Sequence, residues 1–148
     1  MSDMIINKKA TFNYEILERY EAGVVLTGSE VKALRNNLAH LTGAYVVMRD
    51  GRPYLKGAHI SPYQIANTAV DYNPEQERAL LLTKKELAEL DKSLNTAGLT
   101  VVPIKWYNKK RKIKLEIALV RGKKKADKRE SIKARDVKRD INRTLKSQ

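Results

Sequence analysis

Bond-making chemistry needs nucleophiles, metal ligands or phosphate-cradling loops, and this sequence is poor in all of them. The absence of cysteine removes thiolate nucleophiles, thiolate metal sites and disulfides together. The two histidines, His40 and His59, stand in separate segments without an acidic pair at ligand spacing. That pattern reads as polar loop or strand-end residues rather than zinc ligands or a general base. The glycine-rich phosphate-loop and dinucleotide motifs are both missing. The carboxylates are scattered and mostly accompanied by Lys or Arg, so the chain is expected not to be an enzyme and to carry no cofactor.

What the sequence has instead is arranged cation chemistry. Asn108-Lys109-Lys110-Arg111 is a basic turn directly after Trp106 and Tyr107, and Lys123-Lys124-Lys125 opens a second basic run. Such runs are ordinarily solvated surface, but their joint excess beside aromatics points to RNA. Trp106 and Tyr107 are consecutive, so on a strand one faces the core and only the other can stack on a base. In the whole chain, 30 Lys and Arg against 17 Asp and Glu leave a net charge of +13. Residues 121–148 alone hold 12 basic and 4 acidic residues, so most of the excess sits in the last fifth of the chain.

The elements that must position these cations fit one domain with a tail in 148 residues, 42% of them hydrophobic. No apolar run approaches the roughly 18 to 20 residues of a spanning helix. The opening Met1-Ser2-Asp3-Met4 lacks a signal-peptide pattern, so a cytoplasmic protein without membrane contact is expected. Tyr14–Tyr20 and Ala22–Leu26 read as strands separated by Glu21, with Gly23 marking a bulge or a close backbone approach. Thr27-Gly28-Ser29-Glu30 has capping-box spacing and predicts a helix from about Gly28 to Asn36. Asp50-Gly51 predicts a hairpin between Tyr45–Met48 and Arg52–Leu55. Pro62, the polar stretch at Asn67 and Asn73-Pro74 mark an irregular excursion with room for a short helix after Pro74. Thr83-Lys84-Lys85-Glu86 opens another helix, with Leu87, Leu90, Leu94 and Ala97 as its apolar stripe and Gly98 as its stop. Leu99–Tyr107 and Lys112–Val120 flank the basic turn, the second with Ile113, Leu115, Ile117 and Leu119 inward and Lys112, Lys114 and Glu116 outward.

About six strands with two or three short helices, and no βαβ alternation, predict a mainly β (α+β) fold. Closure as an antiparallel barrel of the oligonucleotide-binding type removes the exposed edges. The barrel domain is expected to span residues 1–121 and the basic tail 122–148. In the tail Val137, Ile141 and Leu145 recur every four residues beside Arg135, Arg139 and Arg143. Like charges at that spacing oppose a helix in water, and an anionic surface reverses the sign, so Ser131–Leu145 is expected to fold on RNA.

Taken together, Asn7-Lys8-Lys9-Ala10, Tyr20-Glu21-Ala22-Gly23, Leu26-Thr27-Gly28-Ser29-Glu30-Val31-Lys32 and Leu34-Arg35 resemble the opening of small protein B, the SsrA-binding protein family of bacteria. The resemblance continues through His59-Ile60-Ser61-Pro62-Tyr63, Leu80-Leu81-Leu82, Val102-Pro103-Ile104-Lys105 and Gly122-Lys123-Lys124 with Asp127-Lys128-Arg129. It implies a non-enzymatic adaptor of trans-translation that holds the tRNA-like domain of transfer-messenger RNA and delivers it to stalled ribosomes. Alanyl-tRNA synthetase and elongation factor Tu are the implied indirect partners, and the decoding centre and messenger channel of the ribosome the implied destination of the tail. By position, the family's RNA contacts fall on Asn7, Glu21 and Leu81; Lys8 and the turn cations Lys109, Lys110 and Arg111 join them as candidate phosphate contacts. The ribosome-reading elements fall on Gly122, Lys123, Lys124, Asp127, Lys128 and Arg129. A ribosomal or ribosome-assembly protein with a basic arm is the alternative on composition alone, and a small nuclease fails for want of acid, base and metal ligands.

Overall fold

The computed structural model describes residues 2–64 and 72–122. The stretch at Asn67 and the expected tail helix at Ser131–Leu145 lie outside the described residues. In chain order the elements are β1 (Ser2–Ile6), α1 (Lys8–Asn13), β2 (Tyr14–Val24), α2 (Gly28–Arg35), β3 (Ala39–His40) and β4 (Tyr45–Arg49). They continue with β5 (Arg52–Lys56), β6 (His59–Ile60), β7 (Arg78–Leu81), α3 (Lys84–Leu94), β8 (Leu99–Lys109) and β9 (Lys112–Gly122).

The strands pair in the order β1-β8-β4-β5-β7-β2-β9, and β8 also pairs with β9, so β8, β4, β5, β7, β2 and β9 close a ring. Every pairing is antiparallel. This is the barrel expected of the oligonucleotide-binding type, and closure leaves its central strands without free edges. The ring depends on β8, which pairs with β4 at Val101 and with β1 from Lys105 to Asn108 on the same edge. Between the two partners sits Pro103, followed by a register shift before Lys105. Proline has no N–H for a ladder and is tolerated at such a break. Asn7 fills the gap: its backbone N–H donates to the Ile104 carbonyl at 2.7 Å, and its Nδ2 donates to the carbonyl of Pro103 at 2.9 Å.

Trp106, Leu34, Leu41, Leu55, Leu115 and Ile117 fill the barrel and are fully buried. A second, smaller cluster lies outside the ring, where Ala10 of α1 covers Val102, Ile104, Ala118 and Val120. The one-sided alternation expected of β9 therefore holds only in its first half; Ala118 and Val120 are buried on the opposite face because α1 roofs them.

Both capping boxes form, Thr27 with Glu30 and Thr83 with Glu86. Asp50 and Gly51 close the β4–β5 hairpin with φ of 53° and 74°, the left-handed pair that a two-residue type I′ turn needs. Elsewhere the structure differs from expectation. Glu21 does not separate two strands: β2 runs unbroken, with its register shift between Ile16 and Glu18. Residues 74 and 75 form a turn rather than a helix. α3 ends at Leu94, so Ala97 is exposed beyond it and Gly98, at φ 84°, belongs to the following turn.

The end of the irregular excursion is held by one buried ion pair. Arg78 Nε donates to Glu30 Oε2 at 2.7 Å, with both side chains almost wholly enclosed. The same guanidinium donates to the carbonyls of Ala58 at 2.9 Å, Gln76 at 3.1 Å and Pro74 at 2.9 Å. Glu30 also receives the Thr27 amide at 3.0 Å and the Tyr72 hydroxyl at 3.2 Å. Burial would raise the Glu30 pKa, but the Thr27 amide and Arg78 outweigh it and hold the carboxyl below its usual range. A single carboxylate thus starts α2 and anchors residues 72–78.

Candidate nucleic-acid interface

Glu21 lies in the middle of β2, directly opposite Glu116 of β9. Two carboxylates facing each other destabilise a ladder unless each is neutralised. Glu116 is paired with Arg19 and, at 3.7 Å, with Lys105. Glu21 receives Lys109 Nζ at 3.0 and 3.3 Å. The Tyr107 hydroxyl, then Lys109, hold the Glu21 carboxyl below its usual range against the opposing effect of burial. The Tyr107 phenol is correspondingly pushed up, first by burial and then by Glu21. Lys105 completes the patch, bonded to Asp3 at 3.0 Å, which raises its pKa.

Trp106 points into the barrel and Tyr107 outward, as strand alternation requires. Tyr107 is nevertheless only 4% exposed, with Lys105 Nζ 5.8 Å from its ring centroid. Neither aromatic is an open stacking platform. Tyr107 acts instead through its hydroxyl, which orients Glu21.

Leu81, by contrast, is 60% exposed although it ends a barrel strand. Its partner in register is Gly23, where an added Cβ would stand 3.2 Å from the Leu81 Cβ. Glycine is there because the Leu81 side chain lies across the β2 backbone, which is the close approach the sequence anticipated. Leu81, Gly23 and Lys114 together form the divide between two shallow depressions of about 320 and 360 Å³. Glu21 and Glu86 line the first; Arg35, Arg111 and Lys112 line the second. The two adjoin as one groove crossed by an apolar ridge, with cations on one side and an oriented carboxylate on the other.

The basic turn is tighter than expected. Asn108 pairs with Ile113 and Lys109 with Lys112, so only Lys110 and Arg111 turn the chain. Both are left-handed, at φ 50° and 67°. Arg35 Nη2 donates to the Arg111 carbonyl at 3.0 Å.

The structure brings Glu21, Leu81, Lys109 and Arg111 together, with Lys110 at the tip. It does not bring Asn7 or Lys8 to them. Asn7 is 6% exposed and its amide nitrogen is committed to main-chain carbonyls; Lys8 begins α1. Both belong to the end of the barrel where Tyr14 pairs with Gly122. Seven strand residues separate that end from Glu21, about 23 Å at 3.3 Å per residue. Gly122 is exposed there, and Lys123, Lys124, Asp127, Lys128 and Arg129 lie outside the described residues.

Sequence reasoning did not nominate Lys114 or Arg35. The alternation of β9 already turned Lys114 outward, and that signal was available; Arg35 could be placed only by tertiary packing. The histidines also come together unexpectedly. His40 and His59 pair across β3 and β6 with rings stacked at 4.8 Å and 1° between planes. Glu75 lies 3.6 Å from His59, but no group of three metal-capable side chains occurs among the described residues. Among them, too, no helix is long and apolar enough to cross a membrane.

Known proteins resemble this chain along nearly its whole length. The family described as "SmpB protein" matches residues 4–147. The SsrA-binding protein of Sulfurihydrogenibium sp. (strain YO3AOP1) is 45% identical over 148 residues, covering 99% of this chain and 97% of that protein. The SsrA-binding protein of Trichodesmium erythraeum (strain IMS101) is 45% identical over 140 residues, covering 95% and 90%. A solved structure described as "tmRNA-SmpB: a journey to the center of the bacterial ribosome" superposes with a TM-score of 0.68 at 39% identity, covering 86% of this chain and 93% of that one. The chain belongs to the SmpB family.

Proposed function

We propose that this protein is a cytoplasmic, non-enzymatic adaptor that holds the tRNA-like domain of transfer-messenger RNA and delivers it to stalled ribosomes. The observation that carries the reading is the groove itself: Glu21 from β2, Leu81 from β7 and the β8–β9 cations meet on one surface, in a chain of the SmpB family. Their chemistry divides the work. Lys110, Arg111, Lys112 and Lys114 neutralise phosphates and supply most of the attraction. Leu81 offers an apolar contact to a base or ribose. Glu21, already oriented by Tyr107 and Lys109, accepts from a base amino group, which a phosphate cannot satisfy. That combination favours a folded RNA with an exposed base edge over duplex in general.

The tail from Gly122 onward is the second device. It leaves the barrel roughly 33 Å from the Lys110–Arg111 turn, ten strand residues along β9. At that distance the tail can engage the ribosome while the groove holds RNA. Lys123, Lys124, Asp127, Lys128 and Arg129 are assigned to ribosome reading.

Replacing Asp127, Lys128 and Arg129 together with alanine tests the division, since it changes net charge by only one unit. Binding of the tRNA-like RNA should be nearly unchanged, while peptidyl transfer to alanylated transfer-messenger RNA on ribosomes with truncated messages should fail. Near-normal transfer, or RNA binding lost in proportion to transfer, would refute the two-device reading.

A further inference from the structure

We propose that Arg35 is a positioning residue for the RNA-binding groove, clamping the strained Lys110–Arg111 turn in the shape that presents its cations. The inference rests on the RNA-binding reading above and adds a part to it. A two-residue type I′ turn needs two left-handed residues, which Asn-Gly or Asp-Gly supply readily. The β4–β5 hairpin of this same barrel uses Asp50-Gly51. The β8–β9 hairpin puts Lys110 and Arg111 at φ 50° and 67° instead, where long L side chains are strained. Such a conformation persists when its surroundings over-determine it.

Arg35 is the visible restraint. It stands in the last turn of α2 and reaches 76 residues along the chain to bond the Arg111 carbonyl at 3.0 Å, the backbone oxygen of the second strained residue. Its base is rigid. The neighbouring Ala33 and Leu34 are fully buried, and the helix start is tied through Glu30 to the enclosed Arg78. A charge-assisted bond from a fixed helix to a turn carbonyl sets the orientation of that peptide. Choosing Lys-Arg over Asn-Gly gives the groove mouth two cations, and the clamp holds them in place.

Arg35 lines the same depression as Leu81 and Lys114, so the competing role is a direct phosphate contact. A double-mutant cycle separates the two. Arg35→Ala is made in the native chain and in a chain carrying Lys110→Asn with Arg111→Gly, where the turn is relaxed. Binding to the tRNA-like RNA is measured across salt, and hydrogen exchange at the Lys112 amide is followed in the free protein. With the native turn, Arg35→Ala should weaken binding on the order of tenfold and speed Lys112 exchange. With the relaxed turn it should change affinity less than about twofold and leave the salt slope unchanged. Equal losses in both backgrounds with a slope lower by about 0.9 would make Arg35 a phosphate contact and overturn the proposal. No loss in either background, or unchanged Lys112 exchange, would also overturn it. If the native protein fails to prefer the tRNA-like RNA over duplex, the functional reading falls instead, while the exchange data still judge the clamp.

Discussion

Replacing Glu21 with alanine sets two electrostatic effects against each other. In the folded protein the Glu21–Lys109 pair itself contributes at most about 1 kcal/mol, because the two side chains are 39% and 43% exposed; the Tyr107 hydroxyl also loses its acceptor. Toward RNA the consequences have opposite signs. The substitution frees Lys109 to neutralise one more phosphate. That steepens the dependence of log K on log salt by about 0.9, equivalent to up to roughly eightfold tighter binding of unrelated duplex at 0.1 M salt. It also removes a charged acceptor aimed at a base amino group, worth about 1.5 to 3 kcal/mol, or roughly ten- to hundredfold in affinity. Glu21→Ala should therefore bind the tRNA-like RNA more weakly and duplex as tightly or more so. Equilibrium binding of both RNAs from 50 to about 200 mM salt reads the two effects separately. Equal or improved binding of both RNAs would refute the directed bond and leave Glu21 as a partner of Tyr107 and Lys109 within the protein.

The remaining predictions concern the parts that hold the groove. Arg78→Met leaves the Glu30 carboxylate enclosed without its cation and should cost about 3 to 5 kcal/mol in urea unfolding; a loss under about 1 would refute the clamp on residues 72–78. Because Glu30 has a lowered pKa when folded, its contribution is present above the ordinary carboxylate range and is lost as pH falls through the folded value. Acid titration should accordingly destabilise the native chain more steeply than Glu30→Gln, and equal slopes would contradict this. Asn7→Ala should destabilise by about 1 to 3 kcal/mol, since the carbonyls it bonds at the β8 break remain buried; thermal unfolding indistinguishable from the native chain would count against that role. Gly23→Ala should displace Leu81 and weaken RNA binding while the barrel still folds, checked by circular dichroism alongside affinity.

What could be read from the sequence were the features encoded locally. Two Thr-x-x-Glu boxes start two helices, Asp50-Gly51 turns one hairpin, and the alternation from Ile113 shows β9, because each signal lies within a few residues of the structure it specifies. What escaped depends on distant partners. α1 has only six residues and exists because Ala10 roofs the outside of β8 and β9. Glu30 looked complete as a capping residue, and its bond to Arg78 lies 48 positions away. For the groove, Glu21 and Leu81 were nominated by family resemblance, while their meeting with Arg111 and Lys114 follows from strand register. The reading of Glu21 as a break between strands failed because Ala22 and Tyr20 both face inward and keep the ladder continuous.

The central claim, that the groove between β2, β7 and the β8–β9 turn holds one structured RNA, is tested most directly by crosslinking in cells. A photoreactive residue replaces Lys112 in the groove, or Asp91 on the exposed side of α3 as a control, and the captured RNA is sequenced. Capture of one dominant RNA with a tRNA-like domain from position 112, and little from position 91, is the predicted result. Fragments of precursor ribosomal RNA from position 112, or equal capture from both positions, would contradict it.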